Sequence, residues 1–488
     1  LGDVEKMKMH LPLDSIVTYE GSVSKSLVPF MPYKTRIQES LIAHDLPWKS
    51  QKEPAILSSK DARYMHSISP MVAGCAKHGI CTIDFQREDL DEVQKISSMQ
   101  LIKFKPKVLT PEKLSIEEAI GGLELEYYDP LHLDTSAGWP WCTTKQTLKY
   151  NYSTIERDEH GKICNVTLSN SVREEVERKE NLRKQGIVPM TVFVDTLKDE
   201  KIKMSKIPKL GSTRVFCASP FDYTISVRQN LLHFCAMYMS NRWELNHSVG
   251  INLQGSEATE LVRRLTQVGN KFVTLDYANF GPGFNASVSQ MVKKNMIEWT
   301  IAYIGKTNER ELDCLLEEGI NSVHLMHNVV YRQRCGSPSG SPLTVVINSE
   351  VNKFYLMLAW KHLTKGWKWK VNRWEDYYGN VQTYVYGDDV VMAVSDEFID
   401  VYNGKTITDY FKEYGIVATD ASKQDVVRKW CSLSEIEFLK HTFVVHPTRP
   451  HEYLAALSLV SVYDTPLWIK EEIDYKSATR VNAEAGIR

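Results

Sequence analysis

The run TYVYGDDVVMAV, residues 383–394, sets two adjacent carboxylates, Asp388 and Asp389, in the middle of Val, Thr and Tyr residues. Residues of that kind favour strands, and a bounded apolar run reads as one that a sheet would bury. Burying two neighbouring carboxylates costs the desolvation of each and adds their mutual repulsion. The fold must therefore supply cations or turn the chain so that both acids reach solvent. Gly387 followed by Asp388 between β-branched runs is a hairpin signal. Taken alone, the same residues describe an ordinary solvated turn equally well.

A second acid extends the pattern. In KFVTLDYANFGPGFN, residues 271–285, Asp276 directly follows a strand-like run that a Gly/Pro/Asn cluster terminates. Two strands that each end in an acid can be neighbours in one sheet, with Asp276 beside Asp388. Two Mg²⁺ ions held between such carboxylates, roughly 3.5–4 Å apart, would clamp both oxygens of an in-line phosphoryl displacement. Oxygen donors without a His/Cys set favour Mg²⁺, for which Mn²⁺ can substitute, over Zn²⁺. On this reading a hairpin exposes the acids and divalent cations neutralise them.

The chain of 488 residues has room for two to four domain-sized units. Its net charge of −2 argues against indiscriminate binding of polyanions. Local balance differs, because residues 197–214 (LKDEKIKMSKIPKLGSTR) carry six basic groups against two acids. Such a stretch can focus positive potential inside a channel while the exterior stays neutral. The nine cysteines form no CxxC pair, and Cys75 and Cys81 stand too isolated in sequence to suggest a zinc site, so reduced thiols are expected. No apolar stretch approaches the ~18 residues of a spanning helix. The absence of an initiator Met and of a secretory apolar region suggests a segment of a longer precursor. Helical patterns at 171–186, at 223–241 and from Glu257 alternate with strand-like runs at 271–276, 381–395 and 438–446, which indicates a mixed α/β core with helix-rich additions.

DYANF (276–280), SGSPLTVVIN (339–348) and YGDD (386–389) resemble motifs A, B and C of viral RNA-dependent RNA polymerases. TSAGWPW (135–141), KDE (198–200) with Arg214, TDASK (419–423) and FLKHTF (438–443) are similar to motifs G, F, D and E of the picornavirus-like branch. The motifs run in the family's order over roughly residues 130–445, and the GPG after DYANF most resembles insect dicistrovirus and iflavirus polymerases. The resemblance implies an α/β (α+β) fold, a closed right hand with an antiparallel palm sheet, helix-rich fingers and a small thumb. It implies fingers over 1–233, palm over 234–285, a fingers insertion over 286–322, palm again over 323–445, and a short or truncated thumb over 446–488. The implied activity is RNA-directed RNA synthesis for a positive-strand viral genome, extending an RNA 3′-hydroxyl or a small genome-linked protein primer from NTPs with release of pyrophosphate. Template and product RNA and viral precursor proteins are the implied partners, in membrane-associated replication complexes of the host cytoplasm.

The same resemblance distributes roles. Asp276 and Asp388 hold both metals, and Asp389 supports them or merely orders the hairpin. Lys198, Lys206 and Arg214 face the triphosphate; the KDE-to-Arg spacing is one residue looser than in picornaviruses, so Lys203 or Lys209 can replace Lys206. Lys423 matches the general acid that protonates pyrophosphate, and equally reads as a surface lysine. Thr344 and Asn348, on one helical face, and Ser339 reach the nucleotide and its ribose 2′-hydroxyl; Ser339 also reads as a helix cap. Thr135, Ser136, Gly138, Gly340 and Lys440 lie along RNA, with Trp139 or Trp141 stacking on bases or packing in the core. The picornavirus pattern has a second Asp where this chain has Gly281. Ribose selection then falls to Asn348 and Ser339 alone, or a nearby group such as Asn285 substitutes.

Overall fold

The computed structural model describes residues 3–9, 11, 15, 17–367, 373–422, 426–470 and 474–487. The apolar run at 381–395 folds into two antiparallel strands, Val381–Tyr386 and Asp389–Val394. With Phe272–Tyr277 and Ala418–Asp420 they make a four-stranded sheet, in the order Val381–Tyr386, Asp389–Val394, Phe272–Tyr277, Ala418–Asp420, antiparallel throughout. Both faces are covered. Val385, Val390, Met392 and Leu275 pack with Val346 and Val351 of the long helix Thr344–Leu363, while Tyr384, Val391 and Ala393 pack with Leu261 and Leu265 of helix Glu257–Val268. Two covered faces explain why these strands read as continuous apolar runs instead of an in–out alternation.

A second sheet of five strands runs Thr18–Ser22, Val329–Arg332, Val323–Met326, Val192–Leu197, Val215–Ala218. Its pairings are antiparallel except for Val323–Met326 against Val192–Leu197. The strands between 323 and 332 thus belong with this sheet and not with the one bearing the acids. The loop preceding helix Thr344–Leu363 docks on the edge strand Val215–Ala218. There the Cys217 N–H donates to Ser339 Oγ (3.0 Å), the Gly340 N–H donates to the Cys217 carbonyl (3.0 Å), and the Ser219 hydroxyl donates to the Gly340 carbonyl (3.0 Å).

Helices expected at 171–186, 223–241 and from Glu257 are found as Asn170–Lys184, Phe221–Ser240 and Glu257–Val268. The hairpin His441–Val445/Tyr453–Leu457 leans on the last of these, where the Tyr453 N–H donates to Thr259 Oγ1 (2.9 Å). The C-terminal strand Trp468–Lys470 pairs with Ile37–Glu39 near the other end of the chain. All nine cysteines are free thiols. Among the described residues no helix is long and apolar enough to cross a membrane.

Candidate active site

Gly387 and Asp388 form the two-residue turn of the hairpin. Gly387 has φ +60°, a conformation that costs an L side chain strain, and it occupies the first central position, where type II′ turns take glycine. The turn exposes Asp388 and leaves Asp389 and Asp276 half-buried. Leu275 pairs with Val390, and extending that register by one residue sets Asp276 level with Asp389, on strands about 4.8 Å apart. Thr419 pairs with Asp276 from the other side. Asp276 and Asp388 line one cavity of about 610 Å³. The turn thus resolves the burial problem posed by the sequence.

The long helix fixes this turn from behind. The Gly387 N–H donates to Ser349 Oγ (2.9 Å), and Asn352 Nδ2 donates to the Gly387 carbonyl (2.9 Å). Asn352 Oδ1 accepts in turn from the Tyr277 hydroxyl (2.9 Å), so one buried amide joins the turn of Asp388 to the strand of Asp276. Sequence reasoning did not single out Ser349 and Asn352. Their only sign was two small polar residues three apart in a largely apolar helix.

Lys77, Lys206, Lys209 and Arg214 supply positive charge to the same cavity. Arg214 makes a two-pronged bond to Glu200, with Nε 2.5 Å from Oε1. That bond, working against desolvation, and the field of Asp388 raise the Arg214 pKa. Burial alone would raise the Glu200 carboxyl, but Arg214 and Lys198 outweigh it and hold it below its ordinary value. Lys77 was also missed; its ammonium donates to the Gly211 carbonyl (2.7 Å). Burial, then Lys206 and Arg214, lower its pKa. Of the three alternatives, Lys206 and Lys209 line the cavity and Lys203 does not, its backbone being paired with Lys52. Lys198 lies off the lining, with its N–H on the Arg214 carbonyl (2.9 Å) and its amine 3.5 Å from Glu200, beside the Arg214–Glu200 pair.

Asn348 lines the cavity, and its Oδ1 is buried without a hydrogen-bond partner. Thr344 spends its hydroxyl on the carbonyls of Pro338 and Ser341 (both 2.8 Å), which holds the loop below the helix. Ser339 accepts from Cys217 and does not cap the helix, which begins at Thr344 after Leu343. A Cβ on Gly340 would stand 2.3 Å from the Cys217 carbonyl oxygen, so only glycine allows this docking. Gly281 lines the cavity, and the nearest atom to a Cβ there would be the Ser337 oxygen at 3.6 Å, so packing does not force the missing side chain. Asn285 is removed as a substitute. It is fully buried, caps helix Ala286–Tyr303 through Val288, and donates to Thr82 and Ile83.

Thr135 is exposed and Ser136 half-buried; the buried Lys149 amine donates to Thr135 Oγ1 (2.6 Å) and to the Ser136 carbonyl (2.8 Å). Gly138 is buried at φ +69°, where a Cβ would meet the Ser219 carbonyl oxygen at 2.3 Å, so glycine shapes this loop. Both indoles are tied into the protein, Trp139 Nε1 to the Leu27 carbonyl (3.0 Å) and Trp141 Nε1 to Asp222 Oδ1 (3.0 Å). Lys440 is exposed in the two-residue turn Leu439–Lys440, both at positive φ. Lys423 lies outside the described residues. Asp276, Asp388 and Asp389 offer carboxylate oxygens, exposed at Asp388 and half-buried at the other two, a donor type that suits a hard cation such as Mg²⁺ or Mn²⁺.

Residues 44–486 match the family model described as viral RNA-dependent RNA polymerase. The genome polyprotein of Deformed wing virus is 32% identical over 97% of this chain, and the replicase polyprotein of Acute bee paralysis virus is 28% identical over 96% of it. The chain spans only 16% and 24% of those polyproteins. A solved structure, Sicinivirus 3Dpol RNA dependent RNA polymerase, is similar with a TM-score of 0.77 and 20% identity, over 95% of this chain and 89% of that one, which shows a shared right-hand polymerase fold. The chain belongs to the viral RNA-dependent RNA polymerases, on their picornavirus-like branch.

Proposed function

We propose that the cavity carries out template-directed RNA synthesis for a positive-strand genome. A primer 3′-hydroxyl attacks the α-phosphate of a bound NTP, the bond to the β-phosphate breaks, and pyrophosphate leaves. The observation that carries this reading is a single cavity lined by Asp276 and Asp388 together with Lys77, Lys206, Lys209 and Arg214. The cations suit a triphosphate tail, and Arg214 is presented by Glu200 with its planar group already oriented. Asp276 and Asp388, with Asp389 in support, would hold two Mg²⁺ ions, which supply charge neutralisation and alignment when bound. Asn348 offers its unpartnered oxygen to a ribose hydroxyl. By kinship Lys423 protonates the leaving group and Lys440 contacts nascent-strand phosphate.

On this reading the four-stranded sheet is the palm, the five-stranded sheet belongs to the fingers, and the segment after 446 is a small thumb. Template and product RNA, a small genome-linked protein primer and viral precursor proteins are its proposed partners, in cytoplasmic replication complexes on membranes. Primer extension on poly(A) tests the activity. UTP should be incorporated in preference to dTTP, and Asp388→Asn should abolish incorporation while RNA affinity is kept. Preference for dTTP would make the chain a reverse transcriptase, phosphate release without polymer a phosphohydrolase, and an inert Asp388→Asn an RNA-binding scaffold.

A further inference from the structure

Behind the cavity, in the core of the five-stranded sheet, three metal-seeking side chains from three separate segments converge, and a fourth, Cys75, lies against one of them. Asp195 and His324 stand on the parallel strands Val192–Leu197 and Val323–Met326. Cys75 and His78 come from the helical turn over 70–79. One ligand atom from each of His78, Asp195 and His324 lies within 4.8 Å of the others. His324 Nδ1 is 2.8 Å from Asp195 Oδ1, Cys75 Sγ is 3.3 Å from Asp195 Oδ2, and His78 Nδ1 is 4.0 Å from the same oxygen. None of the four is more than 5% exposed.

The outer atoms are arranged to match. His324 Nε2 meets Ser322 Oγ at 2.7 Å, and His78 Nε2 lies 3.9 Å from Cys217 Sγ. His324 is therefore held by its Nε2 with its Nδ1 turned to the carboxylate, the orientation that second-shell partners impose on metal-bound histidines. The Tyr331 hydroxyl closes one side, donating to Asp195 Oδ2 and lying 2.6 Å from His78 Nδ1. Charge completes the argument. Asp195 is fully buried, and among the described residues its ion-pair partners are these two histidines, with no Lys or Arg. A buried carboxylate without a cation is expensive.

We propose that Cys75, His78, Asp195 and His324 bind one Zn²⁺ ion that pins the 70–79 segment, and with it Lys77, to the five-stranded sheet. Two nitrogens, one oxygen and one thiolate are all donor types that Zn²⁺ takes, and together they number the four of a tetrahedral site. Binding would release the Cys75 proton to solvent, leaving the thiolate as ligand. His78 also borders the catalytic cavity, which gives the ion a route in from solvent. The ligands are far apart in sequence, so no spacing motif announces them.

Protein purified with zinc in the medium and without chelator should carry about one Zn²⁺ per chain by plasma mass spectrometry. Co²⁺ loaded in its place should give a thiolate-to-cobalt absorption band that Asp388→Asn keeps and that Cys75→Ser and His324→Gln each remove. The wild-type metal content decides the matter even where a variant fails to fold. Zinc below ~0.1 per chain with no band on Co²⁺ titration would overturn the proposal, leaving a dry hydrogen-bonded network. A band that survives Cys75→Ser would overturn it as well.

Discussion

Asn348 holds a buried carbonyl oxygen without a partner on the cavity wall. Leaving such an acceptor unpaired costs about 1–3 kcal/mol, which a ribose hydroxyl would recover on binding. Asn348→Ala should therefore narrow the kcat/KM preference for UTP over dTTP by about tenfold, equivalent to ~1.4 kcal/mol. An unchanged ratio would remove Asn348 from sugar selection. Lys149, under the Thr135–Ser136 loop, makes a different prediction. Burial pulls its ammonium from 10.5 down to about 8. Between those values the unfolded chain binds more protons than the folded one, so the contribution of this residue to stability rises with pH. In denaturant titrations the stability of wild type relative to Lys149→Met should improve as pH climbs from about 8 towards 10.5, and a flat difference would contradict the buried amine. At this scale Asp276 and Asp388 were legible because strand-forming runs and turn residues act locally. Lys77 was not, since a lone lysine near position 77 gains its meaning only when residues 206–214 fold against it.

Among the elements, helix Thr344–Leu363 and the hairpin behave as one unit through Ser349, Asn352 and Gly387. Asn352→Leu would leave the Gly387 carbonyl and the Tyr277 hydroxyl buried without partners, at a cost of about 2–4 kcal/mol in equilibrium unfolding. Because the turn carries Asp388, kcat should fall while KM for UTP stays nearly constant. Lost stability with unimpaired kcat would show that the grip on the turn is structural only. The strands at 271–276 and 381–395 were readable as apolar runs, and the helices at 171–186, at 223–241 and from Glu257 from their spacing, whereas Arg87–Leu101 and Ala286–Tyr303 were not singled out. The partners of each strand were less so. The two strands between 323 and 332 carry nothing local that assigns them to the five-stranded sheet, because a parallel pairing with Val192–Leu197 is made across a long stretch of chain.

Taken whole, the chain is closed by contacts between its two ends. Ile37–Glu39 pairs with Trp468–Lys470, the Ser40 hydroxyl donates to the Pro466 carbonyl (2.6 Å), and the Trp48 indole donates to the Tyr463 carbonyl (2.8 Å). Asp464, 5% exposed, ties this clasp to the basic stretch by accepting from Lys201 (2.5 Å) and Ser50. Asp464→Ala would strand the Lys201 ammonium in a partly buried place and should lower the unfolding free energy by about 2 kcal/mol, read by denaturant titration. A change within ~0.5 kcal/mol would mean the clasp holds without this pair. Such closure leaves no mark in any short window of sequence, since its partners meet only after the rest has folded. The account depends most on one meeting of distant residues, that of Asp276 with Asp388. A crystal soaked in Mn²⁺ should show anomalous density bridging the two carboxylates, each within about 2.5 Å of a metal. Density confined to other sites, with both carboxylates bare, would contradict it.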